Sequence, residues 1–223
     1  TAFETIKTVT NAAMEITMAD SNVAAGDTLT VNAASATTAV LNFDGSAETD
    51  GNYVITTLGT GAHIITLGGG SDTYTSTNTS GINTVVATSG NNTITTAAGA
   101  DIITLGSGTD TVTAGAGANI FISASANLNL NDTIAGGTNT DTLKLSTEES
   151  VVIDADFTNI TGVETLTMSA ADTQLTATLG TLAAAAGIVT VTDTSTDSTF
   201  DLTLAAGYTN NITVTLAAGA GIK

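Results

Sequence analysis

The apolar positions of this chain fall in short alternating bursts separated by glycine-rich breaks, and between residues 50 and 145 the bursts recur with a period of nine. The stretch LGSGTDTVT at 105–113 is one repeat: Leu, Gly, any, Gly, any, Asp, any, apolar, Thr. Aligned on its Asp, the same position falls at Asn83, Asn92, Asp101, Asp110 and Asn119, nine residues apart. Backwards, a two-residue insertion within TSTNTSG leads to Asp72, then His63, and another insertion leads to Asn52; forwards, a four-residue slip leads to Asp132 and then Asp141. In all ten units an apolar residue follows the anchor by two: Val54, Ile65, Tyr74, Val85, Ile94, Ile103, Val112, Phe121, Ile134 and Leu143.

Glycine stands two residues before most anchors, as at Gly70, Gly90 and Gly108, and often four before, as at Gly68, Gly106 and Gly115. A repeated Gly-x-Gly fixes a repeated turn, because only glycine enters left-handed backbone without a Cβ penalty. The unit is then turn, short strand, turn, short strand. Alternation sends Ile103 and Leu105 to one face and Ile102 and Thr104 to the other. Two units make a coil of about 18 residues, with parallel strands stacked on both sides of a thin apolar core. The fold class read from this pattern is all-β, a parallel β-roll or β-solenoid. Residues 1–49 and 146–223 read as irregular β-coils on either side of the repeat at 50–145, in one continuous elongated domain that is a fragment of a longer chain. DTLTVNAA at 27–34, TAVLNFDGS at 38–46, NITGVETLTMS, DSTFDLTLAAGY and NITVTLAAG alternate as strands. LGTLAAAAGIV at 179–189 predicts a short helix near 179–186 closed by Gly187.

Composition narrows the chemistry. The chain has no Pro, Cys or Trp, its three cations are Lys7, Lys144 and Lys223, and twenty-one Asp and Glu bring the net charge to −18. Such a surface disfavours nucleic acid phosphates and anionic lipid, so a cation is the natural counterpart. Disorder is disfavoured because 42% of the residues are hydrophobic, rich in Val, Ile and Leu. No apolar run reaches the roughly 20 residues of a membrane helix, so no membrane insertion is expected. With one His and no Cys, zinc-protease, thiol-nucleophile, serine-elbow and phosphate-loop motifs are all absent, which argues against an enzyme.

The repeats LGGGSDTYT, LGSGTDTVT and IAGGTNTDTL resemble the calcium-binding nonapeptide repeats of secreted bacterial RTX (haemolysin-type) proteins, of pattern G-G-x-G-x-D-x-U-x. That resemblance implies Ca²⁺ held in the turns by Asp carboxylates and glycine-loop carbonyls, which here assigns metal sites to Gly68, Gly70, Asp72, Asp101, Gly106, Gly108, Asp110, Asp132, Gly136 and Asp141. Oxygen ligands suit a hard cation, and a ladder of stacked carboxylates would push its coils apart without one. Alternate units share a side, so one ladder reads Asn52, Asp72, Asn92, Asp110, Asp132 and the other His63, Asn83, Asp101, Asn119, Asp141. The Asn and His rungs depart from the family pattern, so fewer ions than coils are expected. An alternative stays open: Asn and Asp also make turns by bonding their own backbone, with no metal. His63 reads as a turn substitute. Asp154, Asp156 and Glu164 offer either a further calcium site or solvated turns.

FTNITGVETLTMS at 157–169 is similar to linking segments of RTX-containing surface-layer and adhesin proteins. The resemblance thus implies a secreted, extracellular protein of the bacterial cell surface, exported by type I secretion and folded by external calcium. The leading reading is a structural, self-assembling surface-layer subunit whose partners are calcium ions, copies of itself in a lattice and cell-surface polysaccharide bound through a part outside this chain. The alternatives are an RTX adhesin segment, or the secretion and folding module of a secreted hydrolase. The Thr-x-Thr rungs at 73–75, 93–95 and 111–113 also resemble the arrays of ice-binding β-solenoids, although exposed strand positions favour Thr in any case.

Overall fold

The computed structural model describes residues 4–147, 150–168, 174–193, 199–216 and 221–222. The chain winds as an all-β parallel solenoid of about nine turns. Among the described residues every paired strand is parallel. Strands alternate between an eight-stranded sheet, which runs from Thr5–Lys7 to Ile160–Thr161, and a ten-stranded sheet, which runs from Met14–Thr17 to Thr213–Leu216. Thr84, Ile102 and Ile120 stack in register eighteen residues apart. The insertion lengthens the coil from Thr73 to Thr93 to twenty residues, and the slip lengthens that from Thr111 to Thr133 to twenty-two.

The alternation read from the repeats sets what is buried. In Ile102–Leu105, Ile103 and Leu105 are buried while Ile102 and Thr104 are half-exposed. Inward side chains from the two sheets meet in one apolar column that includes Phe43, Tyr53, Ile55, Ile65, Tyr74, Ile94, Ile103 and Phe121. Phe43 and Tyr53 pack edge to face with centroids 4.9 Å apart. The first repeat corrects the sequence register by one residue. Val54 pairs with Thr73 and Ile55 with Tyr74, so Tyr53, not Asn52, occupies the anchor position, and Val54 points outward at 36% exposure. The run Tyr53-Val54-Ile55 is apolar throughout, so alternation alone could not choose between the two phases.

After residue 145 the coil gains a third side. Ser150–Val152, Gln174–Leu179, Thr199–Leu204 and Gly221–Ile222 form a separate four-stranded parallel sheet. The helix expected near 179–186 spans Thr181–Ala186 and ends at Gly187 in the left-handed conformation. Of the expected strand NITVTLAAG, residues 217–219 lie outside the described residues.

Outward threonines align across coils. Thr73, Thr93, Thr111 and Thr133 stack in one column, bordered by Val54; Thr56, Thr75, Thr95 and Thr113 stack in the next, bordered by Ala135. A second array lies on the ten-stranded sheet, where Thr165, Thr190 and Thr213 stack beside Thr167, Thr192 and Thr215.

Candidate metal centre

The anchors line two corners of the coil, and from His63 to Asp141 all but Asn83 reach one coil back; Asn83 Oδ1 instead accepts from the Tyr74 hydroxyl (3.2 Å) and from Asn78 Nδ2 (3.0 Å). In the first corner the Tyr53 N–H donates to Asp72 Oδ1 (2.7 Å), the Asp72 N–H to Asn92 Oδ1 (3.1 Å), the Asn92 N–H to Asp110 Oδ1 (3.0 Å) and the Asp110 N–H to Asp132 Oδ1 (2.9 Å). In the second, the Leu41 N–H donates to His63 Nδ1 (3.0 Å), and the N–H groups of Asn83, Asp101 and Asn119 donate to Asp101, Asn119 and Asp141 in turn. The Asp141 N–H closes the series on Glu164 Oε2 (2.8 Å). Strand pairing leaves these corner N–H groups without a sheet partner, and a side-chain acceptor satisfies each, a bond worth about 0.5–1.5 kcal/mol net. All the anchors from His63 to Asp141 are buried.

Asn and Asp rungs differ in their second atom. Asn92 Nδ2 donates to the Ser89 and Gly90 carbonyls and to Asp110 Oδ1, and Asn119 Nδ2 to the Gly117 and Gly136 carbonyls. An amide thus bridges carbonyl and carboxylate oxygens across neighbouring coils. Where Asp stands instead, that donor is gone. Asp101 Oδ2 and Asp141 Oδ2 are buried with no hydrogen-bond partner. A Cβ added to Gly136 would lie 2.7 Å from Asp141 Oδ2 and 2.0 Å from the Gly162 carbonyl oxygen, so the two oxygens converge where only a glycine leaves room. Buried carboxylate oxygens without donors, beside glycine carbonyls, fit a hard divalent cation.

Burial pushes the Asp72 carboxyl up to about 6, against N–H bonds from Tyr53 and Gly68 that favour the charged form, with the nearby Glu48 charge raising it further. Burial likewise raises Asp101, Asp110, Asp132 and Asp141. It lowers His63, whose Nδ1 accepts an N–H, so the ring is the neutral Nε2–H tautomer.

The residues read from the sequence as metal ligands occupy distinct environments. Asp72 has both oxygens bonded, Oδ2 accepting from the Gly68 N–H, and Asp132 likewise, with Oδ2 accepting from the Asn129 N–H and Nδ2. Asp110 Oδ1 takes two donors from Asn92. Gly70, Gly106 and Gly108 approach carbonyls of the preceding coil: an added Cβ would meet Gly51 O, Thr88 O and Gly90 O at 2.0, 2.2 and 2.1 Å, while at Gly68 it would meet Glu48 O at 2.9 Å. Asp154, Asp156 and Glu164 go to separate partners: Asp154 accepts the Gly180 and Ala183 N–H groups at the short helix, Asp156 the Ile153 N–H, and Glu164 serves as a ladder rung. Sequence reasoning passed over Glu48. It is 1% exposed, but it lies outside the repeat and no spacing marks it.

A family model described as the RTX calcium-binding nonapeptide repeat (4 copies) matches residues 77–112 and 101–127. No curated protein and no solved structure matches the chain. These residues carry RTX repeats, which are calcium-binding, and the chain holds a structural calcium-binding module of a type typical of secreted proteins. Among the described residues no helix is long and apolar enough to cross a membrane.

Proposed function

We propose that this chain is a calcium-stabilised, self-assembling structural segment of a secreted bacterial surface-layer protein, with no catalytic role. The supporting observation is the pair of buried, donorless oxygens at Asp101 and Asp141 in a chain of net charge −18. In this reading the calcium ligands are drawn from Gly68, Gly70, Asp72, Asp101, Gly106, Gly108, Asp110, Asp132, Gly136 and Asp141. A bound ion supplies positive charge between coils, while the amides of Asn83, Asn92 and Asn119 do that work on the neutral rungs. The domain reading follows: repeat coils at 50–145 continue into irregular coils at 1–49 and 146–223.

Assembly is supported by the surface. It is nearly free of Lys and Arg, so copies repel until a divalent cation bridges them, and its sheets offer regular threonine columns. A second reading has its own observation: the paired threonine rungs on both sheets suit ordered water, as in ice-binding solenoids. Negative-stain electron microscopy of the chain with millimolar calcium tests both. Ordered sheets that dissolve in chelator are expected. A folded chain that stays monomeric in calcium contradicts the lattice reading: with saccharide binding it points to an adhesin, and with arrested ice growth to the threonine arrays.

A further inference from the structure

One corner before the matched repeats gathers three carboxylates of its own. The loop between strands Leu41–Asp44 and Asn52–Gly59 folds Glu48 into the interior, where it is 1% exposed. Its Oε1 accepts the Gly51 N–H (2.9 Å) and the Asp50 N–H (3.3 Å), and its Oε2 is buried with no hydrogen-bond partner. The short 3-10 turn Asp20–Asn22 of the preceding coil brings up Asp20, whose Oδ1 accepts the Thr49 N–H (3.0 Å) and hydroxyl (2.6 Å). One ligand oxygen from each of Asp20, Glu48 and Asp50 lies within 4.8 Å of the others.

Three like charges held this close, one of them buried with an oxygen that no donor reaches, are unfavourable without a counter-ion. Oxygens that share one calcium ion at about 2.4 Å can be at most about 4.8 Å apart, so the spacing suits a common ion. Magnesium demands near-octahedral geometry and sheds water reluctantly, so an irregular, carboxylate-rich corner favours calcium. The neighbouring Tyr53 hydroxyl, also buried without a partner, is held above its usual range by burial and then by the Glu48 charge. We infer that Asp20, Glu48 and Asp50 form a calcium site distinct from the nonapeptide turns, clamping the corner at residues 20–22 to the next coil's corner at residues 48–51.

This inference does not rest on metal in the nonapeptide turns. Calcium titration calorimetry of the whole chain compares wild type with Glu48→Gln, with the exposed-site variant Asp50→Asn, and with the double variant Asp101→Asn/Asp141→Asn; circular dichroism checks that each folds. Glu48→Gln is expected to bind one ion fewer per chain, Asp50→Asn to weaken one site at least tenfold, and the double variant to retain that site. Unchanged ion number and affinities in both Glu48→Gln and Asp50→Asn would overturn the site. Loss of all binding in the double variant would overturn its independence.

Discussion

Asn92 shows what a ladder rung requires. Its Oδ1 accepts the Asp72 N–H and its Nδ2 reaches two carbonyls and the Asp110 carboxylate, so a neutral amide meets every need of the corner without metal. This accounts for the alternation of Asn and Asp: a rung needs an acceptor, and charge is required only where an ion is to be held. At Asp101, whose Oδ2 is buried and donorless, Asp101→Asn is therefore expected to raise the melting temperature in chelator and to reduce the gain on adding calcium. A thermal melt with and without calcium checks this, and a fall in chelator comparable to a core truncation would contradict it. The ladders were legible in the sequence because identical residues recur at a fixed spacing. Glu164 and Glu48 were not legible as corner groups: Glu164 takes the Asp141 N–H with a longer side chain from a loop of different length, and Glu48 folds back onto the Gly51 N–H of its own loop, where no repeat spacing marks it.

Glycine sets the pitch at the level of the coil. Gly137 has φ of +98°, and a Cβ there would lie 1.8 Å from the Gly115 carbonyl oxygen; Gly26 has φ of +74° with nothing within 4 Å. Gly26→Ala therefore meets only the left-handed penalty, about 1–2 kcal/mol. Gly137→Ala also drives two coils apart and should cost at least about 2 kcal/mol more. Urea unfolding of both variants tests the difference; equal losses would mean that coil stacking does not depend on that close approach. The helix at Thr181–Ala186 was readable from its alanine run and Gly187. The third sheet was not. Successive coils there run twenty-two to twenty-six residues, as from Thr199 to Gly221 and Ile134 to Ile160, and without a strict period nothing in a strand such as QLTATL says which side of the coil it joins.

Over the whole molecule, buried carboxylates and a net charge of −18 make the calcium-free fold sensitive to pH. A carboxyl whose folded pKa is raised holds its proton more tightly in the folded state. Its contribution is complete below the unfolded value near 4 and is lost as pH rises through the folded value, about 6 for Asp72; Asp101, Asp110, Asp132 and Asp141 shift in the same direction. The chelated chain should thus melt at a lower temperature at neutral than at mildly acidic pH. Calcium binds the ionised form, so its stabilisation should grow over the same interval. The most direct test is thermal melting followed by circular dichroism, in calcium and in chelator, at about pH 5 and about pH 7.5. The account predicts a calcium-induced rise in melting temperature that is small at the lower pH and large at the higher; superimposable curves with and without calcium at the higher pH would contradict it.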